Sequence, residues 1–151
     1  MISEQECIFC KIVRGEIPSK KIYEDHDVIA FLDINPANPG HCLVVPKKHS
    51  ETISDTDDDV LEKAIVVTKK LATSVKEKLN ADGVNIVQNN GRHAGQLVSH
   101  IHFHIIPRFP DDKVLITYQR VQMDENELNE MQKKLTEEGK KEGRSDWDMR
   151  F

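Results

Sequence analysis

The sequence predicts an α+β domain, a mostly antiparallel sheet of about five strands with its helices, two of them main ones, on one side. Three observations carry this prediction. Strand-like runs "KIYED", "DVIAFLDI" and "HCLVVP" follow one another between Lys21 and Pro46, separated by turn-forming residues. From Thr56 to Asn80 the apolar spacing lengthens to three or four residues. Two more strand-like runs, "VNIVQNN" and "SHIHFHIIPR", then follow.

The elements can be justified in order. Ile8, Ile12 and Val13 recur at helical spacing, so Cys7 to Arg14 reads as a short helix closed by Gly15 and Pro18. The polar His26-Asp27 pair splits the first two strands into a hairpin, and "NPANPG" turns the chain into the third. In the long helix Val60, Ala64, Val67, Leu71, Val75 and Leu79 form the apolar face. Asp57, Asp58 and Asp59 at its start and Lys76 and Lys78 near its end suit the helix dipole, and Asn80 to Gly83 stops it. The loop "GRHAGQ" joins the fourth and fifth strands. A second amphipathic helix is expected in "MDENELNEMQKKLTEEGK", with Leu128, Met131 and Leu135 on its apolar side and Gly139 as its stop. Residues 1–139 thus read as one domain and 140–151 as a polar tail, in which Trp147, Met149 and Phe151 alternate and could dock on this subunit or a neighbour.

At 151 residues, with 38% hydrophobic and 31% charged residues, the chain suits one core with a solvated surface. No run of about 18 apolar residues suggests a membrane span, and the start "MISEQECIFCKIVRGEIP" lacks the pattern of a secretory signal, so a cytoplasmic protein is expected. Three cysteines then point to reduced thiols or metal ligands, not to a disulfide framework. A net charge of -5 argues against a surface for long nucleic acid while leaving room for a pocket that binds one phosphate. There are no internal repeats.

Three of the seven histidines, His100, His102 and His104, stand on alternate positions of one apolar run. On a strand they would share one face, with Ile101, Phe103 and Ile105 on the other, at spacings of about 6.5–7 Å that suit flanking one small anion. Two chemistries use such a row: metal ligation through neutral ring nitrogens, and nucleophilic or acid/base work near neutral pH. Histidines merely facing water are the plain alternative, and the clustering disfavours it. His26, His41 and His93 read as loop or strand-end residues, and Cys42 as an interior one.

The run His100-Ile-His-Phe-His-Ile-Ile106 resembles the signature of the histidine triad (HIT) superfamily. "CIFCKIVRGEIPSKKIYED", "AFLDINPANPGHCLVVPKKH" and "NNGRHAGQ" extend the likeness to the Hint branch and its bacterial relatives, from about Cys7 to Arg108. The resemblance implies a HIT-like fold, a homodimer, and a hydrolase or transferase acting at the α-phosphate of purine nucleotide (AMP- or GMP-type) conjugates such as nucleoside phosphoramidates. By resemblance His102 is the nucleophile that forms a nucleotidyl-imidazole. His104 contacts the phosphate, helped by Gln96 and by the backbone from Gly95 through Leu97 to Val98, and Asn89 lies beside the phosphate. Asp33 matches the acceptor of the ribose hydroxyls, although on its own it also reads as a turn residue. Ile8, Phe9, Ile12, Phe31, Leu32, Ile34 and Leu43 would form the slot for the base, and without the resemblance they read as core.

Cys7-x-x-Cys10 has the spacing of half a tetrahedral zinc site. By resemblance His49 and His100 complete it, giving a structural Zn; two packed thiols are the alternative. The chain departs from the family pattern at Leu97, where the relatives often carry Ser or Thr able to donate to the leaving group. A dinucleoside polyphosphate hydrolase, and a nucleotide-binding regulatory protein of low turnover, are the competing functional readings.

Overall fold

The computed structural model of the protein describes residues 3–136. The chain divides into two compact units, Met1–Leu115 and Ile116–Phe151. The first holds helix α1 (Ile8–Val13), strands β1 (Lys21–Glu24), β2 (Val28–Leu32) and β3 (Cys42–Pro46), helix α2 (Asp58–Lys78), and strands β4 (Gly83–Gln88) and β5 (Phe103–Arg108). The five strands form one antiparallel sheet in the order β1-β2-β3-β5-β4, so the last strand lies inside and β4 forms an edge.

Both faces of the central strands are covered, which explains why β2 and β3 read as near-continuous apolar runs. Val28, Ala30, Cys42, Val44, Phe103 and Ile105 meet Ala64, Val67 and Ala72 of α2 on one face. Alternation sends Ile29, Phe31, Leu43 and Val45 to the other face, where they pack with Cys7, Phe9 and Cys10. The helices are therefore not all on one side as the sequence suggested: α1 buries Phe9 and Cys10 on the face opposite α2. In α2 the acidic first turn and basic last turn are as expected, and Asn80 follows in the left-handed region at φ 52°. No helix among the described residues is long and apolar enough to cross a membrane.

The regular fifth strand begins only at Phe103, later than the alternating sequence implied. The preceding backbone is bound elsewhere: the His100 N–H donates to Val98 O at 2.8 Å and the Ile101 N–H to Ser50 O at 2.8 Å. Of the three histidines only His104 stands on the strand, opposite Leu43 on one side and Val87 on the other.

Past the strand, Arg108 grips Asp112 through two N–H···O bonds of 2.8 and 2.9 Å. Asp112 also accepts from the Phe109 and Val114 amides and from the Asn38 side chain. The Arg108 guanidinium, followed by the Phe109 N–H, holds the Asp112 carboxyl well below the usual carboxylate range. A carboxylate so depressed stabilises the fold above its unfolded pKa of about 3.9 and loses that effect as pH falls toward the folded value. Asp112→Asn is expected to lower the Tm at pH 7, with the gap to the parent closing below about pH 3 in thermal melts across pH.

In the second unit, helix α3 (Glu125–Thr136) opens with a reciprocal cap. The Asp124 N–H donates to Glu127 Oε2 at 2.8 Å and the Glu127 N–H to Asp124 Oδ1 at 2.9 Å. Its apolar residues Leu128, Met131 and Leu135 are exposed. Gly139, Trp147, Met149 and Phe151 lie outside the described residues.

Candidate active site

The three histidines have different hydrogen-bond partners, and those partners decide where each ring carries its proton. A backbone carbonyl can only accept. His100 Nε2 is 2.8 Å from Pro46 O, so Nε2 carries the hydrogen and Nδ1 keeps a free lone pair. His102 is the reverse: its Nδ1 is 2.7 Å from His100 O, so Nδ1–H donates and Nε2 keeps the lone pair. Burial lowers the pKa of His102 and brings those of His100 and His104 down to about 4, so all three rings are neutral at pH 7.

The rings of His102 and His104 have centroids 4.9 Å apart, closer than the backbone spacing of an ideal strand. Phe9 meets His102 edge-on at 5.1 Å and Phe31 at 5.6 Å. It therefore links the apolar group on this face to the middle histidine. Phe9, Phe31 and Leu43 are buried together, with Ile12 and Val98 packed against them. Ile8 and Leu32 are part-exposed, while Ile34 (88%) and Leu97 (93%) project into solvent. Asp33 Oδ1 accepts the Asn35 N–H at 2.8 Å, the turn role its sequence also allowed, and Oδ2 stays free of so short a bond. Asn89 is part-buried, with its Nδ2 near Gly95.

Gln96 is buried, and its whole side chain is used inside the loop. Its Oε1 accepts the Gly91 N–H at 2.7 Å, and its Nε2 donates to Glu51 O at 2.7 Å and Val98 O at 3.0 Å. No amide hydrogen is left over for a ligand. By contrast, the N–H groups of Leu97, Val98 and Ser99 find no acceptor among the described residues. They form a short run of open donors, the kind of backbone that receives an anion.

Cys7, Cys10, His49 and His100 converge behind this loop, with one donor atom from each lying within 4.8 Å of the others. Both sulfurs are 3.5 Å from His100 Nδ1, Cys10 Sγ is 3.3 Å from His49 Nδ1, and the two Nδ1 atoms are 3.1 Å apart. A tetrahedral zinc with ordinary Zn–S and Zn–N bonds would set its ligand atoms about 3.3–3.8 Å apart, so the cluster is already near that size. The free lone pair on His100 Nδ1 points into it. Burial, together with Cys7, pushes the Cys10 thiol up to about 12, so Cys10 ionises only with a cation to balance it. The residues fit zinc.

One contact was not legible in the sequence. His41, read there as a loop or strand-end residue, is buried, with its Nε2 2.9 Å from His104 Nδ1 and 3.6 Å from Asp33 Oδ2. Only the pairing of β3 with β5 brings it there.

Comparison with known proteins agrees with this geometry. Residues 14–111 match the family model of the HIT domain. The chain is 56% identical over 115 residues to an uncharacterized HIT-like protein of Methanocaldococcus jannaschii, covering 76% of this chain and 88% of that one. It is 40% identical over 143 residues to adenosine 5'-monophosphoramidase of Candida albicans, covering 91% and 94%. Its fold matches a zinc-bound histidine triad family protein of Mycobacterium smegmatis with a TM-score of 0.71 at 38% identity, covering 79% and 86%. The protein belongs to the HIT family, and its five-stranded antiparallel sheet with flanking helices is the fold of that family.

Proposed function

We propose that the protein hydrolyses nucleoside phosphoramidates or related purine nucleotidyl conjugates at the α-phosphate, through a covalent nucleotidyl-histidine. Nucleotide hydrolysis in the broad sense follows from the family and its named phosphoramidases. One observation carries the finer reading. The bond from His102 Nδ1–H to His100 O leaves Nε2 of a neutral, buried imidazole as a free nucleophile beside His104.

In the first step the His102 Nε2 lone pair attacks the α-phosphorus, a P–N bond forms, and the bond to the leaving group breaks with its electrons. In the second step water attacks the same phosphorus and releases His102 and the nucleoside monophosphate. The charge that builds on the phosphoryl oxygens meets His104 and the open N–H groups of Leu97 and Val98. Gln96 serves by holding the Gly91–Val98 loop in shape, not by touching phosphate. Asp33 takes the ribose hydroxyls, Asn89 and Gly95 border the phosphate, and Ile8, Phe9, Ile12, Phe31, Leu32, Ile34 and Leu43 supply the base slot. Leu97 has no proton for the departing group, so a departing amine takes its proton from solvent, and cleavage is slower than with a hydroxyl at this position.

Cys7, Cys10, His49 and His100 would hold a structural zinc, which ties the N-terminal segment to the loop before β5. Homodimerisation is part of this reading, supported by the free edge of β4 and by the exposed Ile65, Val66 and Ile86 on α2 and β4.

Mass spectrometry after brief reaction with an adenosine phosphoramidate tests the mechanism. An adduct of nucleoside monophosphate mass on His102 is expected, and a turnover-competent enzyme without one refutes the covalent route. Running diadenosine polyphosphates in parallel decides between the two hydrolase readings, since the proposal expects the phosphoramidate to react faster.

A further inference from the structure

We propose that His41 is a positioning residue that fixes the tautomer of His104, so that His104 presents its Nε2–H as a hydrogen-bond donor toward the substrate phosphate. The inference deepens the hydrolase reading and rests on it for the identity of the ligand, but its structural content stands on the hydrogen bonds alone.

The chain of bonds starts at a group with no choice. The backbone N–H of Ala37 can only donate, and it lies 3.0 Å from His41 Nδ1. His41 Nδ1 is therefore the acceptor, and the ring proton sits on Nε2. That Nε2 is 2.9 Å from His104 Nδ1, so His41 donates and His104 Nδ1 accepts. The one proton of neutral His104 is then left on its Nε2. Asp33 Oδ2, at 3.6 Å from His41 Nε2, is too distant to compete as acceptor, but its negative charge favours the proton on the near side of the ring.

The backbone around His41 is built to hold this relay. Asp33 N–H donates to His41 O and His41 N–H to Asn38 O, each at 3.0 Å, closing the turn on itself. The Asn38 side chain then ties the turn to Pro107 O and Asp112 at the end of β5. Gly40 sits at φ 91°, where an added Cβ would fall 2.2 Å from Leu79 Cδ1 and 3.3 Å from Pro107 Cγ. With His41 only 6% exposed, the ring has no freedom to exchange its partners for water. Burial lowers the pKa of both rings, His104 to about 4, which keeps each to a single proton as the relay requires.

Asp33, His41 and His104 also form a group that could in principle ligate a metal. The Ala37 bond speaks against that use. Metal on His41 Nε2 would leave the remaining ring proton on Nδ1, pointing at the Ala37 N–H, one donor against another.

The test uses the full-length protein with 15N-labelled histidine, free of substrate. Long-range 1H–15N correlation spectra report which ring nitrogen is protonated, with His104 assigned by comparison with His104→Gln. The parent protein is expected to show His104 protonated on Nε2. His41→Phe should move His104 toward a mixture of tautomers and lower kcat roughly tenfold or more, with a smaller change in KM. His41→Gln, which restores an N–H near the place of the lost Nε2–H, should recover most of both. A parent His104 protonated on Nδ1 overturns the proposal even if His41→Phe does not fold. An unchanged His104 tautomer in folded His41→Phe overturns it whatever the activity. Failure of the hydrolase reading would show differently, as a parent protein with the expected tautomer and no turnover.

Discussion

Replacing His102 with Ala or Asn is expected to abolish turnover, by about 10³-fold or more in kcat, while nucleotide binding survives. The ring that is lost is the one with a lone pair held ready by its neighbour's carbonyl, and no other neutral nitrogen takes its place. His104 Nδ1 is engaged by His41, and His100 Nδ1 faces the two cysteines. Binding should persist because the apolar group of Phe9, Phe31 and Leu43 and the open backbone donors of the loop do not depend on that ring. Stopped-assay kinetics with calorimetric titration of AMP would check both halves. Full activity in His102→Ala would remove the nucleophile from this scheme.

The second large effect concerns the cluster of Cys7, Cys10, His49 and His100. Protein purified without chelator and with reduced thiols should carry close to one zinc per chain. Removing the metal, or substituting Cys10→Ser, should lower stability by about 3 kcal/mol or more, because two buried thiols and two imidazoles would lose their common partner. Metal analysis and thermal melts with and without chelator measure this. Less than about half an equivalent of zinc would refute the site. The loss should reach the reaction as well, since His100, whose ring faces the two cysteines, offers its backbone carbonyl to His102.

Much of this was legible in the sequence because it is local or periodic. The strands from Lys21 to Pro46 came from composition and turns, and α2 from its spacing and its end charges. The histidines and the Cys-x-x-Cys pair came from motif. What stayed hidden depends on long-range pairing. His41 is 63 residues from His104, and only the register that sets Leu43 opposite His104 brings the two rings together. Gln96 looked like a phosphate donor because the motif counts residues and not hydrogens; the fold shows its amide already committed. The late start of β5 was missed because apolar alternation continues through Ile101, although the amide at that position is held by Ser50 across the loop. The placement of α1 could not be read either, since a helix of six residues has too little pattern to say which face of a sheet it covers.

The order of the sheet has a consequence for how the chain is made. The strand that carries His104 is the last of the five in sequence, yet it is inserted between β3 and β4. While the chain grows on the ribosome, the β1-β2-β3 meander and β4 can each form with an open edge, but they cannot be joined until residues up to Arg108 have emerged. Before then α2 has only part of the surface it finally covers. The strand that carries His104 is thus the keystone of the sheet: a nascent chain stopped short of Phe103 exposes two further unpaired strand edges, those of β3 and β4.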